Sequence, residues 1–370
     1  MRSPMDEKTF LDFYKNTMLS HSNNLQRYVC KWLEAEHRIT FDAQISMDDS
    51  SDTLFFESKR DFKGIISKTT TNLSFANFYE QFEFKKLYKY SVPFFFEMKD
   101  DKTVKEILDE KAIKFFDNEY EADFIIDSSL KEAKPIAYIE GEKIFLKFTL
   151  QKVYVEAETY DTVDYRYPIL IYIDTFLKVL EVRYDAIRFG EQIDRDVYSK
   201  IINSCVTWVQ ENLNMDLYVC EHLDAIKVIN DKDNPDVRMY KQMMELSSGG
   251  SAELTASESA DYVLPFIGEI RELIDENEDL FNESEEIKQI LLQYLTDKEA
   301  TASYPYIYVK WVKPVESQSY VVKITFDYFN NKFTLLQHIT GNCNDLGMER
   351  MNNAIEYLCK SGSFVKGEKI

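Results

Sequence analysis

The stretch PILIYIDTFLKVLEVRY, Pro168–Tyr184, decides how this chain is read, because its pattern returns as YVVKITFDYFNNKFTLLQ at Tyr320–Gln337. Each copy has an apolar run ending in an aspartate (Asp174, Asp327), an aromatic two residues on (Phe176, Phe329) and a second run from Leu180 or Phe333. Alternation on both sides of a turn marks a β-hairpin. Outward from the hairpins, IFLKFTL at Ile144–Leu150 precedes the first and IYVKWVK at Ile307–Lys313 the second, each with a central lysine, Lys147 or Lys310. These lysines are expected to lay their stems over aromatic surface and keep their charge in water. A helix follows each hairpin. The first, over roughly 194–213, carries Ile201, Cys205 and Val209 on one face. The second starts at Asn344 or Asp345 as N-cap, carries Met351, Ile355 and Leu358, and stops at Gly362. The reading is an α+β fold, antiparallel sheets with packing helices, containing a duplicated strand, hairpin and helix unit.

At 370 residues the chain is long for one core, so two domains are expected. Residues 1–246 read as an N-terminal α+β domain, with a helical start at 6–36 and a sheet and hairpin unit at 137–217. Phe10, Phe13, Tyr14 and Met18 share one helical face of that start, and Leu25, Tyr28, Val29 and Trp32 another. The small-residue tract SSGGSAELTASESAD, 247–261, reads as a linker. Residues 262–370 read as a C-terminal α+β domain with acidic helices and the second hairpin unit. In one helix, Ile287, Ile290, Leu291 and Tyr294 mark the expected buried stripe.

The 65 acids against 44 bases give a formal charge of −21, which repels a phosphate backbone unless bases concentrate in one place. Generic nucleic-acid binding is therefore disfavoured. Glu253–Glu299 holds 14 acids and 3 bases, about half of the net charge. The five cysteines are scattered without a C-x-x-C pair, which fits a reducing, cytoplasmic setting. With no apolar run long enough for a span, a membrane location is not expected.

Among constellations that carry chemistry, Arg38–Lys59 reads as a hairpin with Asp42 on one strand and Glu57-Ser58-Lys59 closing the next. That arrangement resembles the PD-(D/E)xK nuclease motif, with Phe41 where the motif's proline would stand. The resemblance implies that Asp42 and Glu57 hold Mg²⁺ or Mn²⁺ while Lys59 steadies developing charge. It requires both carboxylates on one sheet face, which strand register decides. Glu83-Phe84-Lys85, Glu97-Met98-Lys99 and Glu286-Ile287-Lys288 repeat the triplet as charged background. Near the first hairpin, Glu156 and Glu158 on one strand face and Asp161, Asp164, Asp174 and Asp185 in nearby turns gather oxygens that a hard cation could use. Turn chemistry, a solvated rim and Arg183 beside Glu181 account for the acids here instead. Cys220 and His222 lack two further ligands for zinc. No Walker A, GxGxxG, G-x-S-x-G or H-E-x-x-H pattern occurs.

The expected function is a cytosolic, non-catalytic interaction or assembly subunit, whose acidic lobe faces a protein with a basic surface. A metal-dependent nuclease through Asp42, Glu57 and Lys59 is the alternative, and an acidic nucleic-acid mimic or inhibitor the third reading.

Overall fold

Asp6 and Ser22 start the first two helices. Their side-chain oxygens accept from the N–H of Thr9 and Leu25, at 3.0 and 3.3 Å, fixing α1 at Glu7–Ser20 and α2 at Asn23–Ala35. The structure, a computed structural model, describes residues 5–42, 53–117, 126–131, 133–156, 159–187, 196–222, 225–229, 237–245, 251–255, 267–301, 303–315, 318–331, 333–339 and 347–370. The expected N-cap at Asn344 or Asp345 and the tract's 247–250 and 256–261 lie outside them. The fold is α+β with mostly antiparallel strands. The chain divides into two compact units: Met1–Tyr218 with Asn344–Glu349 and Lys369–Ile370, and Val219–Cys343 with Arg350–Glu368.

In the first unit, β1 (Ile39–Thr40) and β2 (Leu54–Phe55) make a small sheet of their own. Then come α3 (Phe62–Thr69), α4 (Ala76–Lys85), β3 (Tyr90–Met98), α5 (Val104–Glu110), β4 (Lys114–Phe115) and β5 (Ile136–Glu140). They lead into β6 (Lys143–Val155), β7 (Thr162–Asp174), β8 (Val179–Tyr184), α6 (Val197–Asn212) and β9 (Met215–Glu221). The main sheet runs β3-β8-β7-β6-β5-β4, antiparallel except at β4–β5. The Pro168–Tyr184 hairpin is present as read, with Ile173 opposite Leu180. Asp174 closes its turn by accepting from the N–H of Phe176 and Leu177 at 3.1 and 2.9 Å.

Strand alternation gives this sheet two unlike faces. Leu146, Phe148, Ile169, Ile171, Leu180 and Val182 make one face wholly apolar and buried. It is the face α6 covers, with Trp208 edge-on to Phe148 at 5.1 Å. The opposite face carries Lys147, Arg166, Tyr172, Glu181 and Arg183, equally buried. Helices α1 and α4 supply its partners, and Phe10, Phe13, Tyr14 and Met18 of α1 are all buried as the periodicity predicts.

The second unit contains α7 (Ala225–Ile229), β10 (Val237–Glu245), β11 (Ser251–Thr255), α8 (Ile267–Glu276), α9 (Glu278–Asn282) and α10 (Glu285–Thr301). It continues with β12 (Tyr306–Val315), β13 (Gln318–Asp327), α11 (Tyr328–Asn331), β14 (Phe333–Ile339), α12 (Glu349–Lys360) and β15 (Val365–Lys369). Its sheet order is β11-β10-β12-β13-β14, antiparallel throughout. The strands β12-β13-β14 repeat the meander β6-β7-β8, and α12 buries Met351, Ile355 and Leu358 as expected. Ser251–Thr255, inside the small-residue tract, pairs with β10 as a sheet strand. No helix among the described residues is long and apolar enough to cross a membrane.

Candidate functional site

Helix α10 has more apolar surface than its unit buries. Leu295 is buried with Met244 and Ile274, and Leu291 and Leu292 pack against that small core. Ile287, Ile290 and Tyr294, spaced for one helical stripe, are instead 54, 67 and 51% exposed. This corrects the sequence reading of the stripe: of its four residues only Leu291 turns inward, and Leu295 marks the buried side. The apolar arc is wide enough to serve two surfaces, and the unit's own strands use one of them. Nearby, Leu273 of α8 and Leu280 of α9 are 54 and 66% exposed. Five of the eleven exposed large apolar side chains among the described residues thus fall within α8–α10, which concentrates them far beyond scatter. At ~100° per residue, Glu286 and Asp297 both border one side of the exposed stripe of α10, and Glu278, Asp279, Glu283 and Glu285 are exposed in the same α9–α10 segment.

The nuclease-like residues sit in a different geometry from the expected hairpin. Ile39–Thr40 and Leu54–Phe55 pair in parallel, not antiparallel, with Thr40 beside Phe55. Thirteen residues separate the two strands, and the turn-rich DDSSD at 48–52, which suggests the hairpin's reversal, lies outside the described residues. Continued by two residues, the parallel register would set Asp42 level with Glu57. Both are exposed and beyond the strand ends. The ammonium of Lys59 is drawn away to Glu34 at 2.5 Å and lies 4.9 Å from the Phe41 ring centre. Among the described residues no group of three or more His, Cys, Asp or Glu is spaced to hold a metal ion.

The densest charge in the first unit is buried. Lys147 of β6 pairs with Glu80 and Glu83 of α4, and Arg166 of β7 bridges the same two carboxylates at 2.8 and 2.7 Å. The Tyr14 hydroxyl donates to Glu80, and the Arg166 guanidinium lies 3.9 Å from the Tyr14 ring centre. None of the four charged side chains exceeds 3% exposure. The expectation that Lys147 keeps its charge in water is therefore wrong, because α4 brings two carboxylates down onto its face of the sheet. Glu83, set aside as background in a Glu-x-Lys triplet, is half of that counter-charge. Burial alone would raise the Glu80 carboxyl, but Lys147 and Arg166 reverse the sign and hold it at about 2. The seam continues with Arg183 paired to Glu181 and Lys86 paired to Asp185. Glu181 and Arg183 are fully buried, so they form no solvated rim. Closed to solvent and mutually neutralised, this seam fixes how α4 sits on the sheet; it offers no opening to a substrate.

The other singled-out groups are dispersed. Asp164 accepts from Gln151 at 2.8 Å, and Asp174 belongs to its turn. His222 stacks on Phe326 with ring centres 4.0 Å apart, and burial lowers its pKa. No protein-family model and no curated protein matches this chain.

The residues sequence reasoning missed are the outward members of α10 and the acidic partners of Lys147. A signal for the first was present: Ile287, Ile290, Leu291, Leu292, Tyr294 and Leu295 span more of a helix than one buried stripe needs. For the second, Glu80 and Glu83 are one turn apart in the helical sequence before β3, but nothing local says which strand they meet.

Proposed function

We propose that this chain is a non-catalytic interaction or assembly subunit that docks a partner protein through α8–α10. One observation carries the reading: Ile287, Ile290 and Tyr294 stand exposed in a stripe on the most acidic segment of the chain. A stripe of this kind fits an apolar ridge bordered by Lys and Arg, which gains burial at its centre and electrostatic steering from its rim. The partner is accordingly a basic, amphipathic protein surface. The scattered cysteines, with no C-x-x-C pair, support a reducing, cytosolic setting.

The test is quantitative binding to the partner recovered by native pull-down and mass spectrometry. Ile290→Asp is expected to weaken that complex at least tenfold, since a charge placed in a buried patch is left unpaired. Glu286→Lys with Asp297→Lys is expected to weaken it more at low salt than at high salt. Affinity unchanged by both variants at low salt overturns the reading.

A second reading, the metal-dependent nuclease, draws support from the parallel register that would set Asp42 level with Glu57. It expects Mg²⁺- or Mn²⁺-dependent cleavage of DNA or RNA that Glu57→Ala abolishes without unfolding the chain. Equal cleavage by the variant rules it out.

A further inference from the structure

The solvent-facing side of the second unit's sheet reverses the charge of the molecule around it. Alternation along β12 and β13 buries Ile307, Val309, Trp311, Val322 and Ile324 at 0–1% exposure. It turns Tyr306, Tyr308, Lys310 and Lys323 the other way, where all four are half-buried. Register then assembles rows across the strands. Lys241, Tyr308, Lys323 and Gln337 stand directly beside one another, and Arg238 and Lys310 lie side by side in the next outward row. A bulge between Met239 and Lys241 leaves Tyr240 as the extra residue, and the Lys310 ammonium lies 5.9 Å from its ring centre.

The lysines are interleaved with the rings. Lys323 is 3.6 Å from the centre of the Tyr306 ring and 5.6 Å from that of Tyr308, with Lys241 5.5 Å from Tyr308 on the other side. Glu253 of β11 lies at the edge of this face, where it binds Lys241 at 2.5 Å and accepts from the Tyr306 hydroxyl at 2.6 Å. Both partners of that ion pair reach solvent, at 26 and 39% exposure.

We propose that this face binds single-stranded nucleic acid. Cations spaced between aromatic rings on an open sheet provide what a single strand needs: charge for its phosphates and flat surfaces for its unstacked bases. A duplex offers phosphates alone and keeps its bases stacked, so the tyrosines would gain nothing from it. The net charge of −21 opposes long-range attraction, so the strand is held by these local contacts and the complex is salt-sensitive. Glu253 already neutralises Lys241, and it acts as a built-in competitor for the phosphate.

Fluorescence anisotropy of the full chain with a labelled single-stranded oligonucleotide of about 16 nucleotides tests this. Binding is expected at about 20 mM NaCl and to weaken by about 200 mM, with a log–log slope of about −0.7 for each cation that engages a phosphate. Tyr308→Ala is expected to cost roughly five- to hundredfold in affinity. Lys323→Ala is expected to make the slope shallower by about 0.7, and Glu253→Gln to tighten binding and steepen the slope by a similar amount. The same oligonucleotide as a duplex is expected to bind more weakly. Ile290→Asp, on the separate α10 stripe, is expected to leave oligonucleotide binding unchanged, which keeps this site distinct from the protein-docking lobe. Lack of binding at low salt overturns the proposal. So does binding indifferent to both Tyr308→Ala and Lys323→Ala in variants whose circular dichroism matches wild type. Tighter binding of a polyglutamate peptide than of the oligonucleotide would mark a protein-docking face and also overturn it.

Discussion

Lys147 and Lys310 occupy matching places in two similar strands and meet opposite fates. Lys147 is sealed between Glu80 and Glu83, whereas Lys310 is half-buried near Tyr240 on a sheet face. Lys147→Met removes one partner from a buried network and leaves two carboxylates to a single guanidinium. It is expected to cost about 3–5 kcal/mol of stability, while Lys310→Met is expected to cost less than about 1 kcal/mol. Urea denaturation of the two variants measures the difference; equal losses would mean that the buried seam is no more than a surface pair. The same seam makes a pH prediction. Glu80 is held at about 2 in the fold against an ordinary value of 4.5, so its contribution is complete above about 4.5 and is lost as pH falls from there through about 2. Glu80→Gln is expected to lower stability at neutral pH and to flatten the loss over that acid interval. A variant whose acid loss parallels wild type would show that Glu80 titrates normally.

At the scale of the element, α10 separates the two jobs an amphipathic helix can do. Leu295→Ala empties part of the core shared with Met244 and Ile274 and is expected to cost about 2–5 kcal/mol in that lobe. Ile290→Ala, one turn away, is expected to stay within about 0.5 kcal/mol of wild type because the side chain is 67% exposed. Hydrogen-exchange protection of the α8–α10 amides reads both; similar loss of protection would place Ile290 in the core. The elements also show what was legible beforehand. The hairpins, the helix after each and the buried stripes of α1 and α12 followed from periodicity, which reflects backbone geometry. The pairing of β1 with β2 did not, since two residues per strand carry no pattern that separates a parallel return from a hairpin.

Across the whole molecule, charge is unevenly placed. The segment Glu253–Glu299 supplies about half of the net −21, while the face carrying Lys241, Lys310 and Lys323 is locally basic. Like charge on a compact chain is self-repelling, and salt screens it as the Debye length contracts from ~30 Å at 0.01 M to ~8 Å at 0.15 M. The thermal midpoint is expected to rise over that range of NaCl. A fall would show that attractive pairs, not net repulsion, dominate the electrostatics of the fold.

The sequence by itself determined the α+β class, the repeated meander and the alternation that gives each strand a buried and an open side, because those depend on neighbours one to four residues away. Only the tertiary structure decided which side of α10 stays outside, and that Lys147 meets its two carboxylate partners inside the core. Its partners Glu80 and Glu83 lie more than sixty residues earlier in the chain. Burial is set by whatever a distant segment lays over a face, and that information is spread over the whole chain.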